Sequence, residues 1–190
     1  GIEPGVGTPF GFYANTRLSR KEDSFLSKLS FGLGVYTPFG SSISYPNDWI
    51  GRFVTQQVTL TTIFIQPTIA YNINDQIGIG VGIGYGLGNF RIQRAVPLYN
   101  AGTGLEGGSE LEGKGNGIGA NFGVYVEPIK NKLAIGVSYK TNVSVDIEDG
   151  DAVFTVPESL AIGFPTTTFD MNVTLPDYMS LGVTYFLDSS

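Results

Sequence analysis

Four acidic residues lie close together in the sequence, and closely spaced carboxylates are ligands that bind calcium in proteins. They are Asp146, Glu148, Asp149 and Asp151. An EF-hand loop needs oxygen ligands at its first, third and fifth positions. Gly150 stands at the fifth position of such a loop, so the spacing does not fit. We therefore predict no metal site here and interpret these acids as a solvated rim.

Other chemistry is excluded by residue types that the chain lacks. There is no Cys and no His among the 190 residues, which excludes disulfides, zinc sites, thiol nucleophiles and catalytic triads. The glycine-rich stretch GTGLEGG at 102–108 is followed by no Lys-Ser/Thr pair and is not a phosphate-binding loop. A net charge of −6 without a Lys/Arg cluster argues against a nucleic-acid partner. We predict no cofactor and no enzymatic activity.

The elements that position these residues are predicted by a two-residue period. The stretch IGIGVGIGYGLGNF at 77–90 has a glycine at every second position from Gly78 to Gly88. Side chains alternate between the faces of a strand, so one face is a continuous apolar ribbon and the other carries no side chain. In 132–148 the period places Leu133, Val137, Val143 and Ile147 on one face. Further strands are predicted at 29–35, 63–73, 118–126 and 179–187.

Strand and connection lengths indicate how these strands assemble. The strands at 54–73, 76–94 and 131–148 exceed the ~5–6 residues of a globular strand. Short turns at 72–75 and 128–131 alternate with long connections, an asymmetry typical of outer-membrane barrels. We therefore predict an all-β, antiparallel up-and-down transmembrane β-barrel, with lipid on the Ile/Val/Leu side and a cavity on the glycine side. A soluble sandwich or lipocalin-like barrel, with the apolar face in its core, is the alternative.

Three segments resemble, in the same order, strands of the FadL/OmpP1/TodX family of outer-membrane proteins. They are residues 45–96, 133–157 and 173–187. The resemblance implies a barrel of about fourteen strands with an N-terminal hatch. We count about seven strands in a single domain over 1–190, so the hatch and the C-terminal strands have no counterpart. The chain is then a portion of a longer barrel or forms a smaller closed one.

The function that this resemblance implies is passive uptake of long-chain fatty acids or other hydrophobic, detergent-like compounds across the bacterial outer membrane. Lipid and lipopolysaccharide are the expected surroundings. A structural subunit of an outer-membrane secretion or assembly complex, with partner proteins, is the alternative. An enzyme is disfavoured because the chain lacks His and Cys, and a polar porin because few inward-facing residues are charged.

By the same resemblance, hydrophobic ligands are captured between two outer loops at 95–115 and 149–168. Packing of the two loops against each other is the alternative role for their apolar side chains. These side chains are Val96, Leu98, Leu105, Phe154, Val156, Leu160, Ile162 and Phe164.

The resemblance also implies a lumen pocket and a lateral exit at a kinked strand. The predicted lumen residues are Tyr36, Phe64, Tyr125 and Phe186, with Arg91, Lys132 and Lys140 as cations for a carboxylate head group. Pairing of these cations with a wall acid such as Asp146 or Glu148 is the alternative. The kink is expected in the strand at 29–38, from Gly32, Gly34 and Pro38, and Pro67 is a second candidate for a defect in the wall.

Overall fold

The computed structural model describes residues 3–4, 9–19, 24–98 and 105–187, which form one antiparallel sheet of 11 strands. The strands are β1 (Glu3–Pro4), β2 (Gly11–Arg17), β3 (Leu29–Tyr36), β4 (Gly40–Ser44), β5 (Gln57–Asn72), β6 (Ile77–Pro97), β7 (Glu106–Ile129), β8 (Leu133–Lys140), β9 (Val143–Thr155), β10 (Thr167–Leu175) and β11 (Tyr178–Tyr185). Short 3-10 helices span Phe25–Lys28 and Glu158–Gly163. In the described part of the chain no helix has the length and hydropathy needed to cross a membrane.

Several of these strands are two halves of one longer strand. β3 and β4 pair with successive parts of β5, and β8 and β9 pair with successive parts of β7. In the same way β11 pairs with β8 and β10 with β9, while β2 pairs with β3 and β1 with β4. The halves β1 and β2, β3 and β4, β8 and β9, and β10 and β11 thus make four long strands, and β5, β6 and β7 bring the total to seven. The predicted up-and-down order of about seven strands is confirmed, and the described residues form an open sheet.

The sheet curls strongly toward its glycine side. The rings of Phe39 and Tyr178 lie 6.2 Å apart, although β5, β6, β7 and β8 stand between their strands in the sheet. Glycine on this side makes room for inward side chains of the neighbouring strand, because a Cβ on Gly86 would lie 2.8 Å from Cζ of Phe64. We call this concave side the inner face and the opposite, convex side the outer face.

The outer face carries the apolar ribbon, as predicted. Ile79, Val81 and Ile83 of β6 are 44%, 50% and 59% exposed. A soluble sandwich would bury these side chains in its core, so the structure contradicts that alternative. Rows of exposed aliphatic side chains on a barrel wall are typical of strands that face lipid.

We call the end of the sheet that carries the long connections its upper end. One predicted row of side chains is wrong in the upper half of the sheet. Lys140 is opposite Asn121 of β7 and Asp146 is opposite Asn116, so the β8–β9 side contains one extra residue at 141–142. A shift of one residue exchanges the two faces of a strand. Val137 is therefore on the outer face and 37% exposed, whereas Val143 and Ile147 point inward and are 5% and 2% exposed.

The same inversion occurs where β3 meets β4. Tyr36 is opposite Phe64, whereas Gly40 is opposite Thr61, so residues 37–39 contain one extra residue. Above the two inversions the outer face becomes polar: Asn172 Nδ2 donates to Asp146 Oδ1 at 2.5 Å. These interruptions therefore mark the upper edge of the apolar outer band.

Candidate functional site

An apolar cluster occupies the inner face at the height of these interruptions. Its core comes from strands on both sides of the curled sheet, and Phe39, Leu60 and Val173 pack against it. The sequence predicted Tyr36 and Phe64 here but missed the members from β9 and β10. We call the core the central cluster; its members are Tyr36, Phe64, Val143, Val145 and Leu175.

The ammonium group of Lys140 lies beside this cluster. Lys140 Nζ donates to the hydroxyl oxygen of Tyr36 at 2.7 Å, and that hydroxyl donates to Oε1 of Gln66 at 2.6 Å. The amine also lies 4.2 Å from the ring centroid of Tyr36 and 5.3 Å from that of Tyr178. The predicted alternative partner Asp146 instead bonds Asn172 on the outer face. The structure thus brings Tyr36, Phe64 and Lys140 together among aromatic rings.

Space on the inner face is distributed unevenly. On the side of Tyr36 and Lys140 that faces Phe64, only about 20 Å³ is free, enough for about one water molecule. On the side that faces Tyr13, the same two residues line an open groove of about 640 Å³. Below them an open groove of about 510 Å³ follows small residues that include Gly80, Gly123 and Gly136. The inner face is therefore closely packed around Phe64 and open both beneath it and beside Tyr13.

The other predicted aromatic lumen residues lie apart from this cluster. Tyr125 is on the inner face near the lower end of β7, where its hydroxyl donates to Oε1 of Glu127 at 2.5 Å. Phe186 follows β11 and is 47% exposed, and its backbone N–H donates to the carbonyl oxygen of Lys132. Neither contributes to the central cluster.

Arg91 requires a correction, because it lies on the outer face. Side chains of β6 alternate between the two faces: Arg91 has an odd number, like the outward Tyr85 and Leu87, whereas the inward glycines have even numbers. Arg91 forms an ion pair with Glu110 at 2.6 Å, and Gln93 donates to the same carboxylate. The glycine period could have predicted this position, since the inward glycines of β6 have even numbers.

The two predicted outer loops are shorter than expected. β6 extends to Pro97 and β7 starts at Glu106, while β9 runs to Thr155 and β10 starts at Thr167. Much of 95–115 and 149–168 is therefore strand, because the polar residues there pair across the sheet above the apolar band. Residues 99–104 of the first loop lie outside the described part of the chain.

Apolar side chains come together at two points, one between the two segments and one within 149–168. A Cβ on Gly107 would lie 2.9 Å from Val156 Cγ1 and 3.5 Å from Leu98 Cδ1, so both side chains flank this glycine. The rings of Phe154 and Phe164 are 5.8 Å apart.

The remaining predicted groove residues are less enclosed. Ile162 is 96% exposed and Leu105 is 44% exposed, while Val96 and Leu160 are half-buried. The two segments thus combine a few packed apolar contacts with exposed apolar side chains.

The predicted strand defects are found at the two prolines and not at the glycines. Gly32 and Gly34 lie within β3, which pairs with β2 and β5 without a break. Pro38 is in the interruption at 37–39, and the β5–β6 ladder skips Gln66 and Pro67. Proline has no N–H to donate, so it is tolerated where a ladder is already broken.

A third connection, at 45–56, is fixed to the top of β6 and β7. Arg52 Nε donates to Oε2 of Glu106 at 2.8 Å, and the backbone N–H of Ala95 donates to the carbonyl oxygen of Arg52 at 2.8 Å. The Arg52 guanidinium holds the pKa of the Glu106 carboxyl below its usual value. Within the described ranges, no three acidic side chains are grouped closely enough to hold a metal ion.

The sequence profile of the family described as "Outer membrane protein transport protein (OMPP1/FadL/TodX)" matches residues 22–189. The chain belongs to this family. Membership of the OMPP1/FadL/TodX family places it in the bacterial outer membrane, with the exposed aliphatic rows of the outer face toward lipid. A search of curated protein sequences gives no match.

Solved structures of the family share the fold. A FadL homologue of Pseudomonas aeruginosa superposes with a TM-score of 0.80 at 13% identity, over 94% of this chain and 45% of its own length. The toluene transporter TbuX of Ralstonia pickettii gives 0.61 at 13% identity, over 85% and 48%. The toluene transporter TodX of Pseudomonas putida gives 0.58 at 14% identity, over 85% and 48%. The chain thus spans about half the length of these relatives.

Proposed function

We propose that the protein containing this chain is a passive channel that takes up hydrophobic compounds through the outer membrane. The observation that carries the proposal is the apolar lining of the inner face at the central cluster, where Val143, Val145 and Leu175 point inward. A water-filled porin has a polar interior instead. Structural relatives are described as toluene transporters and as a monoaromatic hydrocarbon channel, which supports a hydrophobic ligand.

The apolar contacts at the outer end are the proposed capture site. Leu98 and Val156 flank Gly107, and Phe154 packs against Phe164. An alkyl chain inserted there would gain about 0.8 kcal/mol for each CH₂ group removed from water. Long-chain fatty acids and monoaromatic hydrocarbons both present such apolar surface, and we include both as substrates.

The proposed path then leads inward to the central cluster. Exit to the membrane is proposed at the same height, at 37–39, where β3 gives way to β4 and the strand carries Pro38. A broken ladder at this point leaves fewer hydrogen bonds to separate than a continuous one.

Uptake by cells tests the proposal. The full-length protein is expressed in a Gram-negative host that lacks its own channel for hydrophobic compounds, and uptake of radiolabelled oleate and toluene is measured. The wild type should exceed a vector control, and Phe154→Ser should reduce uptake several-fold. Ile50→Ser is the matched control, because Ile50 is 89% exposed in a different connection. Wild-type uptake equal to the vector control would contradict the proposal.

A further inference from the structure

We infer that Arg94 is a specificity-determining residue of the proposed capture site, where it binds the carboxylate head group of an amphiphilic ligand. The inference rests on the proposed function and names the class of ligand that the capture site prefers. Arg94 lies near the upper end of β6. Arg91, the cation predicted from this strand, lies on the outer face and is paired there with Glu110.

The regular pairing of β6 places Arg94 on the inner face. β6 pairs with β7 from Ile77 to Pro97 without a register shift, so its side chains alternate between the two faces over its whole length. The glycines of this strand have even numbers and point inward, and Arg94 has the same place in the alternation. Its inward neighbours on β6 are Ile92 and Val96. Arg94 is therefore a cation within an apolar inner row.

Arg94 lies in the same row of the sheet as Phe154 of the capture site. Arg94 is opposite Ser109 of β7, and Ser109 is opposite Phe154 of β9. Residues opposite each other in antiparallel strands have Cα atoms about 5 Å apart, which puts the Cα atoms of Arg94 and Phe154 about 10 Å apart. Only the short side chain of Ser109 stands in this row between the guanidinium and the ring pair of Phe154 and Phe164.

The next row toward the upper end continues the apolar part of the site. Val96 is opposite Gly107, and Leu98 and Val156 flank that glycine. A ligand tail that contacts Val156 and the ring pair therefore lies within one or two rows of Arg94. The capture site thus combines apolar contact surface with an adjacent positive charge, which is the combination that an amphiphilic anion requires.

The carboxylates of β7 near Arg94 point away from it. Glu110 and Glu112 occupy outward positions of this strand, and Glu110 pairs with Arg91 at 2.6 Å and accepts from Gln93 Nε2 at 2.6 Å. In the part of the chain that the structure describes, Arg94 forms no ion pair, and it is exposed. Arg94 is therefore accessible to an anionic ligand from the inner face.

The guanidinium group determines which head group binds best. Its planar N–H donors match the two oxygens of a carboxylate. Lipid contacts the outer face of a barrel wall, so a head group that reaches Arg94 belongs to a ligand on the inner face. A neutral alcohol with the same alkyl chain gains no ion pair there. The site therefore favours carboxylates over neutral compounds with an equal apolar part.

Arg94→Gln tests this preference, because it removes the charge and keeps a polar side chain. Binding of radiolabelled decanoate and decanol to the purified full-length protein in lipid nanodiscs is measured, with empty nanodiscs as the blank and folding checked by heat-modifiable mobility on gels. Decanoate binding should weaken about threefold to fivefold, the factor that one exposed ion pair contributes. Decanol binding should stay unchanged.

Two further variants control for the loss of charge. Arg94→Lys keeps a cation at this position and should retain most of the preference for decanoate. Lys114→Gln removes an exposed charge from an outward position of β7 and should change the binding of neither compound. Equal losses of decanoate and decanol binding in folded Arg94→Gln would overturn the inference, because they would show a structural role. Unchanged decanoate binding in this variant would overturn it as well.

Salt gives a readout that needs no variant. Exposed charges are screened as ionic strength rises, so added NaCl should weaken decanoate binding to the wild type relative to decanol binding. If Arg94→Gln fails to fold, Arg94→Lys and this salt dependence decide. A preference for decanoate that salt does not reduce would then overturn the inference.

Uptake of oleate and toluene by cells separates this inference from the proposed function. A wild-type protein that prefers decanoate through Arg94, yet gives no uptake above the vector control, would contradict the channel function and support the binding site. Uptake above the control, together with a decanoate preference that Arg94→Gln leaves intact, would overturn the role of Arg94 alone.

Discussion

Val143 fills the space beside Gly117, so that a Cβ on this glycine would lie 2.7 Å from Cγ1 of Val143 and still closer to the carbonyl oxygen of Ser144. Neighbouring glycines of β7 meet the same strand: a Cβ on Gly119 would lie 2.6 Å from Val143 Cγ2, and one on Gly115 would lie 2.9 Å from Val145 Cγ1. The glycines of β7 therefore accommodate the inward-turned side chains of β9. The inversion of β9 and the bare face of β7 depend on each other.

Gly117→Ala should destabilise the folded barrel by about 1–3 kcal/mol, because the added methyl group overpacks a filled site. Gly136→Ala is the matched control, since a Cβ there would meet nothing within 4 Å. Urea titration of the full-length protein in lipid vesicles measures both variants. Equal stability of the two would show that β9 does not pack against β7 as described.

The face inversion at 141–142 gives a prediction about charge. Val137→Lys places a cation on the lipid-facing side of β8 and should destabilise the folded barrel, since such a cation costs about 2–4 kcal/mol at the bilayer midplane and about 0–1 kcal/mol near the interfaces. Ser144 has an even number and Val137 an odd one, yet the inversion places both on the outer face. Because Ser144 lies above the apolar band, Ser144→Lys should be nearly neutral. Without the inversion Ser144 would point inward. Folding yield into vesicles distinguishes the cases, and a large penalty for Ser144→Lys would contradict the inversion.

Much of the fold could be predicted from local pattern alone. The period of two in β6 and the runs at 29–35 and 118–126 identify the strands and their lipid-facing sides, because hydrophobic exposure to lipid depends only on parity within a strand. The inversion could not be predicted that way. At 132–148 aliphatic residues occupy the odd positions on both sides of the bulge, although Val137 points out of the barrel and Val143 and Val145 point into it. Pro38 and Pro176 were the available signals of an interruption.

The sequence predicts which site residues point inward only where the alternation of faces along each strand is followed. Tyr36, Phe64 and Lys140 have the inward parity of their strands, and the structure brings them together. Arg91 has the outward parity of β6 and pairs with Glu110. The contact between Lys140 and Tyr36 depends on the curvature of the whole sheet, which no local pattern encodes, so their hydrogen bond could not be predicted from sequence.

Phe64→Ala tests how much the central cluster contributes to stability. Phe64 is 5% exposed and packs under Tyr36, so its truncation should cost about 3–5 kcal/mol. Phe122→Ala is the matched control, because Phe122 is 50% exposed on the outer face and loses far fewer protein contacts. Urea titration in vesicles compares them. Equal losses would show that the inner face is not packed at this position.

The ion pair between Arg52 and Glu106 should make the connection at 45–56 sensitive to acid. Because Arg52 lowers the pKa of Glu106 in the folded protein, the pair contributes fully above the usual carboxyl pKa, and its contribution is lost as pH falls through the lowered value. Trp49 is the one Trp of this chain and stacks on Tyr45 at 4.0 Å, and its carbonyl oxygen accepts from Arg52 Nη1 at 3.1 Å.

Trp49 fluorescence therefore reports whether the connection is held. In the wild type its emission should change below the usual carboxyl pKa as the pair is neutralised. Glu106→Gln should show the acid emission already at neutral pH and no transition on acidification, because the amide cannot pair with Arg52. Glu158→Gln, in a different connection, should behave like the wild type and excludes an effect of charge removal alone. A transition of the same size and midpoint in Glu106→Gln would assign the acid sensitivity to another carboxylate, since residue 106 would then carry no titrating group.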